Sequence, residues 1–216
     1  MIHCSGDGPG TTGPAPRFRV GASYGAAGAA LLFDGAIHAA IVRTAVSASF
    51  DYQLSPTTTL SFGAGAGTGG SLTVHGIHYE IRPGWLATGS YARRLVDGEG
   101  SLPFVILGLS FGASGASTRA PLPGRPETAP LYAFDFRAGL TVGKTFLDVL
   151  SPYAAARLFG GPVLWKLDGK ATGGTDKNHY QLAVGLVASL PRRFDVFVEG
   201  APLGERAVTV GAGLSF

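Results

Sequence analysis

An all-β chain, folded as a transmembrane antiparallel up-and-down β-barrel of about ten strands, is what this sequence predicts. Three observations carry that expectation. Charged residues make up only 14% of the 216, against ~25% in soluble globular chains. Apolar and polar residues alternate with a period of two along most of the chain, as in a strand whose side chains point to opposite faces. Connections alternate between short and long, as in barrels with tight turns at one rim and longer loops at the other. A misplaced hairpin would change the count to about eight or twelve.

Residues 1–16, MIHCSGDGPGTTGPAP, are rich in Gly, Pro, Thr and Ser and have the character of a flexible linker, leaving 17–216 for the barrel. In the first strand Phe18, Val20, Ala22 and Tyr24 alternate with Arg19, Gly21 and Ser23. The second sets Val42, Val46, Phe50 and Tyr52 against Arg43, Ser47, Ser49 and Asp51. The third sets Leu60 and Phe62 against Ser61 and Gly63, and the fourth Tyr79, Ile81, Pro83 and Trp85 against Glu80 and Arg82. Val105, Leu107, Leu109 and Phe111 mark the fifth; Phe134, Phe136 and Leu140 oppose Asp135 and Arg137 in the sixth. The seventh, around 153–165, is less regular, and Gly160-Gly161-Pro162 predicts a bulge within it. Tyr180 to Ser189, Phe194 to Glu199 and Val208 to Phe216 complete the set. Short turns are expected near 55–57, 97–100, 148–152 and 191–193, and longer loops near 28–40, 66–77, 115–130 and 167–177, with a shorter one near 201–205. A helical crossing would need ~20 apolar residues in a row. The uncharged stretch 101–118 is interrupted by Pro103, Gly108, Gly112 and Gly115.

The chemistry of the two faces selects lipid over water. One parity holds Phe, Tyr, Trp, Leu and Val; the other holds Gly, Ser, Thr and charges. A water-soluble barrel would bury the bulky set and coat its outside with Lys and Glu, which this composition does not supply. Apolar outside and polar inside suits a bilayer, where barrel closure also pairs the backbone groups. Tyr24, Tyr52, Tyr79, Tyr91, Tyr132, Tyr153, Trp165 and Tyr180 fall near segment ends, where interfacial girdles are expected.

Over 17–216 the chain resembles the bacterial outer-membrane β-barrel superfamily, most of all in its last strand, Val208-Thr-Val-Gly-Ala-Gly-Leu-Ser-Phe216. Members commonly end in an alternating strand with a terminal aromatic. The resemblance therefore implies that Phe216 is a C-terminal signal read by the barrel-assembly machinery. It also implies outer-membrane lipid as the surroundings; a long loop after the first strand and an even strand count then put both termini on the periplasmic side.

Motifs with chemical meaning are few. Gly65-Ala-Gly67-Thr-Gly-Gly70 matches GxGxxG, but Ser71-Leu-Thr-Val74 follows where a phosphate-binding turn needs a helix. Gly139-Leu-Thr-Val-Gly143-Lys144-Thr145 is one residue short of a P-loop and lies within an alternating strand. Outer-membrane proteases of the omptin family, also ten-stranded, place paired Asp and an Asp–His couple near the outer rim. No Asp-x-Asp or Asp-x-His stands at a strand end here, and no Ser–His spacing stands out, so no catalytic activity is expected. His75, His78 and His179, with His38, fall in or beside the expected outer loops and are the weak candidates for a metal; surface loop roles are favoured, and no cofactor is expected. Cys4 begins a Cys-Ser-Gly run like a mature lipoprotein, yet Met1-Ile-His3 makes a poor lipobox. A formal charge of +3 without a basic cluster gives nucleic-acid binding little support.

The expected lumen charges are Arg43, Arg82, Arg137 and Arg157 against Asp51, Glu80, Asp135, Asp195 and Glu199, a balance that predicts a network of ion pairs. Functionally, this describes a structural or interaction barrel with a charge-networked lumen and exposed loops for an envelope partner. A narrow solute channel, or an outer-rim hydrolase, are the alternatives.

Overall fold

The structure, a computed structural model, describes residues 17–120, 128–167 and 170–216. The 1–16 tail and Cys4 lie outside the described residues. Thirteen strand elements follow one another: β1 (Phe18–Phe33), β2 (Ile37–Ser55), β3 (Thr58–Val74), β4 (Ile77–Ile81), β5 (Gly84–Asp97), β6 (Phe104–Arg119), β7 (Ala129–Gly143), β8 (Leu150–Gly160), β9 (Pro162–Leu167), β10 (Lys170–Asp176), β11 (Tyr180–Leu190), β12 (Phe194–Gly204) and β13 (Arg206–Ser215). They make ten barrel strands, because β4–β5, β8–β9 and β10–β11 are each one strand with an interruption. Two of these breaks carry a proline, Pro83 and Pro162, which has no N–H for the ladder. All pairings are antiparallel, and β13 closes on β1 through Arg19↔Ser215 to Gly28↔Arg206.

The barrel changes strand number with height. The β12–β13 hairpin is short, its ladder ending at Ala201↔Ala207. Above its tip β10 reaches β1 directly, through Leu31↔Asp176 and Phe33↔Gly174. The wall is therefore ten strands around at the lower rim, where Phe18 and Phe216 lie, and eight strands around near the upper rim. Eight strands enclose a bore that side chains can fill; more strands leave space.

The filling follows that rule. Near the upper rim Phe33, Leu72, Tyr79, Leu131 and Trp165 pack into a buried core. Leu72 is 0% and Trp165 4% exposed. Trp165 stacks edge-on against Tyr79 at 5.0 Å and donates to Thr118 Oγ1 at 2.9 Å. Outside this upper section are His78, Glu80, Arg82, Arg119, Lys166 and Lys177, all exposed. Lower down the outside is apolar, with Phe62, Phe136 (56% exposed) and Leu158 (68%) among many bare hydrophobic side chains. A continuous oily girdle of this size is rare on soluble monomers and is what lipid solvates.

Several sequence expectations are corrected here. The 28–40 and 66–77 segments are not long loops: β1 and β2 join through Asp34-Gly35-Ala36, and β3 and β4 through His75-Gly76. Asp34, Gly35, His75 and Gly76 all have positive φ, the conformation tight hairpins require. Tyr79, Tyr153 and Trp165 are buried inside rather than in an outer girdle, whereas Tyr24, Tyr132 and Tyr180 do face out. Tyr79 and Ile81 do not share a face with Trp85: Ile81 is 3% exposed and Trp85 51%. Ile81 pairs with Thr118 and Trp85 with Gly115, so one extra residue stands on the β4–β5 side at Arg82–Pro83. That bulge turns the strand over.

Candidate functional site

The lumen between the upper core and the lower rim holds the charged groups, and it starts from Arg19. Arg19 faces inward near the bottom of β1 and is 4% exposed. Its Nη1 lies 3.0 Å from Asp51 Oδ2 on β2, and its Nε 3.2 Å from Asp195 Oδ2 on β12. To reach Asp195 the side chain must cross β13, and it does so over Gly213, where a Cβ would collide with the guanidinium. A second centre repeats the device. Arg157 on β8 binds Glu199 through both nitrogens, at 2.7 and 2.6 Å, and Gln181 at 2.8 Å. Tyr153 donates to Glu199 at 2.9 Å, its ring lying over Gly185 of the intervening β11. Inward glycines are thus occupied by neighbouring side chains lying flat across them. The two-nitrogen Arg157–Glu199 pair fixes orientation as well as charge.

The third centre is Arg137, paired with Asp135 on its own strand and with Glu205 at 2.7 Å, and lying 4.9 Å over the Phe159 ring. Arg43 crosses the lumen from β2 to β6, where it donates to Ser114 Oγ at 3.2 Å. Below these groups Phe104, Ile106, Tyr153 and Val187 form a second buried cluster, with Phe197 packed against it. Between the upper core and this lower filling lies a cavity of about 490 Å³. Leu31, Ile41, Leu131 and Val163 of the upper core line its upper end, small residues such as Ser23, Ala27 and Ala45 line the wall below, and Arg43, Asp135, Arg137, Arg157, Asp176, Glu199 and Glu205 supply the charge.

Of the residues expected in the lumen, Arg43, Asp51, Asp135, Arg137, Arg157, Asp195 and Glu199 are positioned as above. Glu80 and Arg82 are not: both are exposed on the outer face, because Tyr79 and Ile81 take the inward parity above the Arg82–Pro83 bulge. Sequence reasoning missed Arg19 as the hub of the lower network, although it stands on the polar parity of the first strand. It also missed Asp176 and Glu205, whose positions were read as loop. The histidines are separate surface residues. His75 is in the β3–β4 turn, His78 Nδ1 contacts Thr73 Oγ1 at 2.8 Å, and His179 Nδ1 lies 3.2 Å from the Phe159 carbonyl beyond β10. Among the described residues no group of three or more His, Cys, Asp or Glu is arranged to hold a metal ion. Lys144, from the truncated P-loop pattern, donates to the Gly98 and Leu102 carbonyls at 2.9 and 2.7 Å and so ties the β5–β6 turn. Phe216 pairs with Phe18 through both backbone bonds and stacks on its ring at 6.2 Å.

No protein-family model matches the chain, and no curated protein matches it in sequence. Solved structures match it in fold. The outer-membrane protease OmpT of Escherichia coli superposes with a TM-score of 0.60 at 10% identity, over 93% of this chain and 97% of that one. The translocator domain of the autotransporter NalP of Neisseria meningitidis gives 0.53 at 14% identity, over 97% and 90%. The outer-membrane protein OprG of Pseudomonas aeruginosa gives 0.52 at 12%, over 94% and 96%. The class is thereby defined: a transmembrane β-barrel. Its fold is that of the bacterial outer-membrane barrel proteins.

Proposed function

We propose that this protein is a closed, structural outer-membrane barrel that presents its upper extension to a partner in the cell envelope. The observation that carries the reading is the filling of the bore at two heights. Phe33, Leu72, Tyr79 and Trp165 occupy it above, and Phe104, Ile106, Val187 and the Arg19–Asp51–Asp195 centre occupy it below. A hydrated path for ions would have to pass the upper packed cluster and, below it, the second cluster and the buried ion triad. The upper interior being filled by aromatic and aliphatic side chains also leaves no open groove there for a peptide, which weighs against hydrolysis.

The tight turns after β2, β5, β7 and β11 share the lower rim with Phe18 and Phe216, which supports a periplasmic lower rim and an extracellular upper extension. Outer-membrane lipid then contacts the apolar girdle, and the assembly machinery would meet Phe216 at its exposed ladder position. The charged exterior of the extension, with Glu80, Arg82, Arg119 and Lys166, is the surface offered to a partner. Planar-bilayer recording tests the reading. The purified protein is expected to insert without steady current, and a stable single-channel current from the unaltered chain contradicts it.

A further inference from the structure

The cavity inside the barrel is bordered by two opposite charges, Arg43 and Asp176, that form no ion pair among the described residues. Arg19, Arg137 and Arg157 each pair with one or two carboxylates. Arg43 lines the same cavity, and its side-chain partner among the described residues is the Ser114 hydroxyl alone. Asp176, on the β10 section that closes onto β1, also lines the cavity, and its carboxylate has no hydrogen bond or ion pair among the described residues. The neighbouring Asp135 and Glu205 share one arginine, Arg137. The space therefore holds one guanidinium and one carboxylate without an ion partner among the described residues. Leu31, Ile41, Leu131 and Val163 give it an apolar wall as well.

We propose that this cavity binds a small zwitterion, an organic molecule with a carboxylate and an ammonium group on an apolar body. Arg43 and Ser114 take the carboxylate, Asp176 takes the ammonium, and the apolar wall takes the body. A single charge of either sign would satisfy one anchor and leave the other bare, and buried unpaired charge is costly. At about 490 Å³ the space lies within the ~300–1,000 Å³ range of small-molecule sites. The proposal rests on the closed-lumen reading, because an open pore would flood both anchors with water.

Isothermal titration of the folded, detergent-solubilised protein with phenylalanine, 3-phenylpropionate and phenethylamine tests it. Phenylalanine is expected to bind saturably and about tenfold tighter than either single-charge analogue, the contrast expected from one charged hydrogen bond. Arg43→Gln should remove its advantage over phenethylamine, and Asp176→Asn its advantage over 3-phenylpropionate, while Arg43→Lys retains most of the affinity. Circular dichroism confirms that each variant is folded. No saturable binding of phenylalanine, equal binding of all three compounds, or an unchanged preference in either variant overturns the proposal. Bilayer current is read separately, so a conducting barrel and an empty cavity are distinguishable results.

Discussion

The girdle and the upper extension are built from the same strands, yet they are inside-out relative to one another. On β1 the inward residues run from Arg19 through Gly21, Ser23 and Ala27 to Leu31 and Phe33 without any change of parity. On β2 they run from Asp51 through Ser47 and Arg43 to Ile41 and Ala39. Low in the barrel the oily groups face out and the charges face in; high in the barrel this is reversed. Side chains follow the solvent at their own height. Where lipid surrounds the wall, apolar groups belong outside. Where water surrounds it, they are driven to the axis, and the narrowing to eight strands lets them meet there.

The comparison breaks most sharply at the charges buried low in the lumen. Arg19→Met should cost about 3–5 kcal/mol in unfolding free energy, because Asp51 and Asp195 would be left as uncompensated buried carboxylates; urea unfolding in detergent reads this directly. Trp165→Ala, in the upper core, should cost about 3–5 kcal/mol by the same titration, since a large buried ring leaves a cavity. Hydrogen exchange should then rise in β4, β9 and the upper ends of β1 and β3, while the girdle keeps its protection. Phe136→Arg, on the lipid face, should cost about 2–4 kcal/mol in a bilayer. Gly213→Ala should cost about 1–3 kcal/mol by forcing Arg19 off its path to Asp195. At the other extreme, Arg82→Ala should stay within about 0.5 kcal/mol, because its side chain is on the water-facing surface. A cost as large for Arg82 as for Phe136 would erase the distinction between the two sections.

The alternating segments made the barrel legible, since each bulky residue at even positions from Phe18 to Tyr24 had a small or polar partner. What was not legible was where lipid ends. Gly25, Ala27 and Ala29 give little contrast with Ala26 and Ala30, so the strand faded into an apparent loop before Leu31 and Phe33 resumed it. The pairs Asp34-Gly35 and His75-Gly76 are the signals that would have restored it, as hairpin dipeptides favouring positive φ. The lumen network was half legible for a related reason. Arg137 and Glu199 stood inside clear alternation and Arg157 in the less regular seventh segment, but Asp176 and Glu205 lay in stretches read as loops. Glu80 and Arg82 were misplaced because a one-residue bulge has no fixed sequence mark beyond Pro83.

The two tryptophans allow the most direct test of the inverted filling, one being outside the wall and one within it. Trp85 is exposed on the outer surface just below the bulge, and Trp165 lies in the upper core. In vesicles of lipids brominated near the headgroup, the Trp165→Phe variant, reporting Trp85 alone, should lose much of its fluorescence. The Trp85→Phe variant, reporting Trp165 alone, should be unaffected. Strong quenching of Trp165 with none of Trp85 would contradict the account.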